Sequence, residues 1–174
     1  KRLSVHGLDE IYCSPNLRAR QTAQPTCDLL GIEMKIEPWT SEDIAWGEMA
    51  CHTLEGNYGW PFQIQNSKVK NDENLALGDK WYEAKCFENV DIKAGFDRIA
   101  FESDKFTEKL GYQREGAIYR AVSPSEKRVA VFCHQGFGTT WLSYLLSINT
   151  LLFWSSFDIS HSSVTIIQFK NTDD

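Results

Sequence analysis

The sequence predicts an α/β fold built on a mainly parallel sheet. Three observations carry that prediction. Short β-rich segments at 8–13 (LDEIYC), 33–38 (EMKIEP) and 128–133 (RVAVFC) alternate with helical stretches. RVAVFC is an unbroken apolar run, the pattern of a strand buried on both faces. Two of the runs end in polar residues, Cys13-Ser14 and His134-Gln135, at the strand ends where open α/β sheets hold their ligands.

In chain order, LDEIYC reads as a short strand. Ser14 is a good N-cap and Pro15 suits the first helical position, where a missing N–H costs nothing. The helix runs to Leu30 and Gly31 closes it. Pro25 inside it should kink it or split it in two. EMKIEP alternates and reads as a strand. Residues 39–78 hold Gly47, Gly56, Gly59 and Pro61 and sustain no period; so long an irregular excursion suggests a functional loop or lid. Residues 79–122 look mostly helical, with Phe96, Ile99, Phe106, Leu110, Ala117 and Val122 as a rough apolar stripe that Gly111 and Gly116 interrupt. Ser123-Pro124-Ser125 turns the chain into RVAVFC, and a helix is expected from about Thr139. TTWLSYLLSINTLLFW suits a buried helix, and SVTIIQFK (163–170) reads as a closing strand.

The 174 residues suggest one domain, large enough to bury roughly 70% of the surface its unfolded chain exposes. Hydrophobic residues make up 42% and the formal net charge is −6, so a core is expected and nucleic acid is a poor partner. Cys13, Cys27, Cys51, Cys86 and Cys133 form no CxxC and are odd in number, which suits a reduced, cytoplasmic protein. No apolar run is long enough to span a membrane as a helix. The chain opens Lys1-Arg2-Leu3-Ser4 without Met, and Leu3 and Val5 read as the tail of an element, so upstream residues are expected to be missing.

The chemistry concentrates at the two polar strand ends. If their strands are neighbours, Arg18 and His134 face one crevice. A helix N-terminus offers free N–H groups and partial positive charge; a guanidinium adds a fork matched to phosphate or carboxylate oxygens; Gly136 and Gly138 let backbone approach a ligand. That set describes an anion site, most naturally for a phosphoryl group. Arg20 lies about 200° around the helix from Arg18 and belongs to the surface. Cys133 should point away from His134 as a small buried apolar residue. His52 lacks the neighbours of a metal site, and His161 reads as a structural histidine near the last strand. Tyr58, Trp60, Phe62, Trp81 and Tyr82 are read as core, with pocket wall as the alternative.

SPNLRARQTA (14–23) resembles the SPLxRAxQTA signature of the histidine phosphatase superfamily, the phosphoglycerate mutase-like family, and GLDEIYCSP resembles its usual lead-in. VAVFCHQGFG is similar to that family's second histidine motif, EDIAWGEM to its E-x-x-x-G segment, and FDISHSSVTIIQF to its closing strand. The resemblance implies a three-layer α/β/α sandwich, one domain over 1–174, and a cap or insert at 48–122. It implies a metal-independent phosphatase, with no cofactor, working through a phosphohistidine on a small phosphorylated metabolite. Arg18 would clamp the phosphoryl group. His134 would stabilise the transition state, helped by the Gln135 backbone N–H and by Gly136. Asp43, four residues before Gly47, would protonate the leaving oxygen, with adjacent Glu42 as the alternative. Most members carry Glu at that position. The family's nucleophile lies in an RHG motif upstream of the signature, which is absent here; Val5-His6-Gly7 is a poor substitute. A phosphoglycerate mutase and a non-catalytic phosphate-binding module are the variant readings.

Overall fold

A computed structural model describes residues 2–53 and 57–170; Gly56, counted above among the breakers of the irregular region, lies outside them. The elements are β1 (Glu10–Cys13), α1 (Leu17–Leu30), β2 (Met34–Ile36), α2 (Glu42–Met49), β3 (Cys51–His52), β4 (Tyr58–Gly59), α3 (Asn66–Val69), α4 (Asp72–Ala76), α5 (Ile92–Lys109), β5 (Tyr112–Glu115), β6 (Ile118–Ala121), β7 (Val129–Phe132), α6 (Gln135–Leu145) and α7 (Thr150–Trp154), with 3-10 turns between several of them. The chain divides into two compact units, residues 1–47 with 126–138, and 48–125 with 139–174.

The first unit is the α/β unit. Its sheet has the order β2-β1-β7 and is parallel throughout. Ile11 and Cys13 alternate with Tyr12, so they share one face. That face meets Ala19, Ala23 and Cys27, which recur every four residues along α1. Two alanines and a cysteine bring the helix close to the sheet. Ile11 and Cys13 are fully buried. Gly31, at φ 67°, ends α1 as expected, its N–H bonded to the Cys27 carbonyl.

Three expectations for this unit need correction. Asn16, not Ser14, is the N-cap of α1, which therefore starts at Leu17. Pro25 does not split the helix, which runs from Leu17 to Leu30 with Pro25 inside it; it sits on the exposed side, where the carbonyl it leaves unbonded meets water. β7 is half-buried along its length rather than buried on both faces, because it stands at the end of the three-strand order.

The second unit carries most of the helix. α5 buries Ile92, Gly95, Ile99, Ser103 and Phe106 along one stripe, and Arg98 Nε donates to both carboxylate oxygens of Glu48 at 2.7 and 2.8 Å. Trp81 packs edge-on against Phe87, Phe96 and Trp154, which makes it core as expected; Tyr58 is exposed. Residues 112–121 are not helical. They form an antiparallel hairpin, β5 with β6, after Gly111 at φ 95°, where a Cβ would meet the Ser123 carbonyl oxygen at 2.0 Å. The apolar segment at 139–154 is two helices, broken where Ser147 takes φ 52° and Asn149 caps α7. Residues 163–170 form no strand among the described residues: the pattern alternates, but no neighbouring strand supplies a ladder, and Ile166 is 80% exposed. His161 accordingly lies in an exposed turn. Among the described residues no helix is long and apolar enough to cross a membrane.

Candidate active site

Parallel register builds the site. Cys13 pairs with Phe132, and the Ser14 N–H donates to the Phe132 carbonyl at 2.9 Å. β1 and β7 therefore end at the same level, and the chain leaves both at the carboxyl edge of the sheet. β2 ends there too, since the Glu37 N–H donates to the Cys13 carbonyl at 2.9 Å. Three exits converge: Ser14 to Arg18 from β1, Glu37 to Asp43 from β2, and Cys133 to Phe137 from β7. Trp39 meets Phe137 edge-on at 5.2 Å, both buried, and pins the second exit to the third.

Ser14 is fully buried, and its Oγ lies 2.8 Å from His134 Nε2. Its hydroxyl donates to Asn16 Oδ1 at 3.0 Å. Asn16 Oδ1 also accepts from the Glu42 N–H at 3.1 Å and from Ser41 Oγ at 3.3 Å. Asn16 Nδ2 donates to Asp43 Oδ2 at 2.6 Å. Glu42 turns the other way: its two carboxylate oxygens accept from the N–H groups of Gly136 and Phe137 at 3.2 and 3.1 Å. Those N–H groups belong to the first turn of α6, where a carboxylate also meets the positive end of the helix dipole.

The charges bear on one another. Burial, then the neighbouring Arg18 guanidinium, lowers the His134 pKa to about 4, while Asp43 pulls weakly the other way. The imidazole is therefore neutral near pH 7. Burial raises Glu42 above its ordinary value, against the two backbone N–H bonds and Arg18. Arg18 is itself exposed, and among the described residues nothing hydrogen-bonds or ion-pairs with its guanidinium. Its fork is available to a ligand.

Arg18, His134, Asp43, Gln135 and Gly136 thus all lie in the first unit, at one edge of one sheet. Arg20 lines a separate groove of about 470 Å³ with Gln24, Cys27 and Met34. His6 lies at the opposite end of the strands: its carbonyl accepts from Arg128, which precedes β7, and the Asp9 N–H donates to the Arg128 carbonyl at 2.9 Å. Cys133 is half-buried, and its desolvation pushes the thiol up to about 12, which keeps it protonated and unreactive. Among the described residues no group of three or more His, Cys, Asp or Glu is placed to hold a metal ion.

Sequence reading missed Ser14 and Asn16. The available signal was a pair of small polar residues directly after a buried strand. Ser14 was absorbed by its fitness as a helix cap, and Asn16 was not singled out.

Residues 1–73 match the family model of the histidine phosphatase superfamily, branch 1. No curated protein matches the chain in sequence. Among solved structures, mycobacterial hydrolase 2 is similar at 13% identity over 93% of this chain and 62% of its own, with a TM-score of 0.53. Mycobacterial hydrolase 1 is similar at 13% identity over 93% and 68%, with a TM-score of 0.51. The chain spans 62% of the length of the first of these. At that identity the likeness establishes the α/β fold alone.

Proposed function

From the match of residues 1–73 to the histidine phosphatase superfamily, we propose that this chain provides the phosphoryl-binding centre of a phosphomonoester hydrolase acting on a small phosphorylated metabolite. The observation that carries the reading is the meeting of an available guanidinium, Arg18, with a neutral, half-buried imidazole, His134, whose titration that guanidinium depresses. Charge of that kind placed before the ligand arrives is what a loose phosphoryl transition state needs.

Arg18 takes two phosphoryl oxygens through its fork. His134, protonated as the anion binds, donates to a third, and the Gln135 backbone N–H completes the cradle beside the small Gly136, whose own N–H is held by Glu42. Asp43 is the acid for the leaving oxygen: it is exposed and tethered on one side only, by Asn16. Glu42, the alternative, spends both oxygens on backbone N–H groups. The attacking group in this chemistry is a histidine forming a phosphohistidine. His6, at the far end of the strands, is not placed for that role. The second reading is a module that binds a phosphoester without turnover. The five free cysteines suit a reduced, cytoplasmic setting.

Turnover of p-nitrophenyl phosphate by the full-length protein, with and without EDTA, tests the hydrolase. Activity that survives chelation, with an acid-labile phosphohistidine trapped on quenching, is expected. Phosphate binding without phosphohistidine would establish the binding module instead, and activity lost on chelation would exclude the mechanism.

A further inference from the structure

We propose that Asn16 is a positioning residue of this site: its side-chain amide holds the Asp43 carboxylate and, through Ser14, sets which nitrogen of His134 carries the proton. The inference rests on the phosphoryl-transfer reading above and adds a residue to it.

Asn16 is the N-cap of α1, with φ −62° and ψ 134°, yet its side chain makes no capping bond. An asparagine there normally accepts an N–H from the first helical turn. Here the amide is diverted from the helix to the site, and departures from a local rule of this kind concentrate at functional positions.

The donors and acceptors favour one arrangement. A backbone N–H can only donate, so the atom facing the Glu42 N–H at 3.1 Å is Oδ1. Nδ2 then faces the Asp43 carboxylate, which accepts, at 2.6 Å. Ser14 has one hydroxyl proton and gives it to Asn16 Oδ1 at 3.0 Å. Ser14 Oγ also accepts the Asn16 N–H at 3.3 Å. With its proton on Asn16, Ser14 accepts from His134, which places the hydrogen on Nε2 at 2.8 Å; the other tautomer requires Ser14 to give up Asn16. One amide therefore orients the acid and, before a phosphoryl oxygen arrives, commits the Nε2–H of the imidazole to Ser14.

The test reads the ring nitrogens of His134 by two-bond proton–nitrogen correlation near neutral pH, in the full-length chain. With four histidines in the sequence, the signal is assigned by single substitution. The wild type should show the Nε2–H tautomer. In Asn16→Ala the Ser14 hydroxyl is released to donate to Nε2, and the Nδ1–H tautomer should appear at a comparable population. Asn16→Asp keeps an oxygen for Ser14 and for the Glu42 N–H, so the Nε2–H tautomer should persist. An unchanged tautomer in a folded Asn16→Ala overturns the proposal. Should that variant fail to fold, loss of the Nε2–H tautomer in Asn16→Asp, which keeps the accepting oxygen, overturns it equally. Inorganic phosphate is titrated into the same wild-type sample: absence of binding there sinks the phosphoryl reading, whereas the tautomer result judges Asn16.

Discussion

Replacing Arg18 by alanine should weaken the binding of inorganic phosphate by roughly 30-fold. The magnitude follows from the position of the side chain. A hydrogen bond to a charged group contributes about 1.5–3 kcal/mol. Arg18 is exposed, so solvent screens part of its attraction and a value of about 2 kcal/mol is appropriate, which is roughly 30-fold in Kd. Arg18→Lys keeps the charge and loses the fork, and should fall between the two. Isothermal titration calorimetry at low ionic strength gives the affinities. A second signature comes from His134. Because the guanidinium helps hold that imidazole down at about 4, its titration in Arg18→Ala should move up toward the ordinary histidine range. Phosphate affinity within twofold of wild type, with the His134 titration unmoved, would refute the placement of Arg18 in this site.

Two further outcomes depend on titration. Sulfate, a dianion that does not titrate between pH 5 and 8, should bind more tightly as pH falls across that window: the bound charge raises the His134 pKa from about 4, so the complex takes up a proton that the free protein lacks. Calorimetry in buffers of different ionisation enthalpy measures the uptake, and a flat affinity with no uptake would contradict the coupling of His134 to the anion. At the other end of the sheet, Lys127, Lys35 and Tyr12 hydrogen-bond Glu10 and lower its pKa from 4.5 to about 2. The folded value lies below the unfolded one, so the Glu10 contribution to stability is fully present above about pH 4.5 and is lost as pH falls toward 2. Urea denaturation as a function of pH should show this slope in the wild type and a shallower one in Glu10→Gln; equal slopes would remove Glu10 from the acid response.

Much of the α/β unit could be read from local pattern. Glu10–Cys13, Met34–Ile36 and Val129–Phe132 announced themselves by β-rich runs, and Gly31 marked the end of α1, because strand propensity and a left-handed cap are properties of a few adjacent residues. Arg18 and His134 were legible for the same reason, as unusual chemistry at strand ends. The hairpin at 112–121 was not: a glycine reads equally as a helix break or a turn until the cross-strand partner is known. The alternating residues 163–170 erred the other way, since a strand exists only where another strand supplies its hydrogen bonds.

What the sequence by itself determined was the set of groups, two basic or titratable side chains after two apolar runs, together with the order in which they occur. What only the tertiary structure decided was their company. The in-register pairing of β1 with β7 puts Ser14 beside His134, although 120 residues separate them along the chain. The exit from β2 sets Asp43 against Asn16 and turns Glu42 onto the first turn of α6. Hydrogen bonds between residues so far apart in the chain depend on the strand alignment, and no local window contains it.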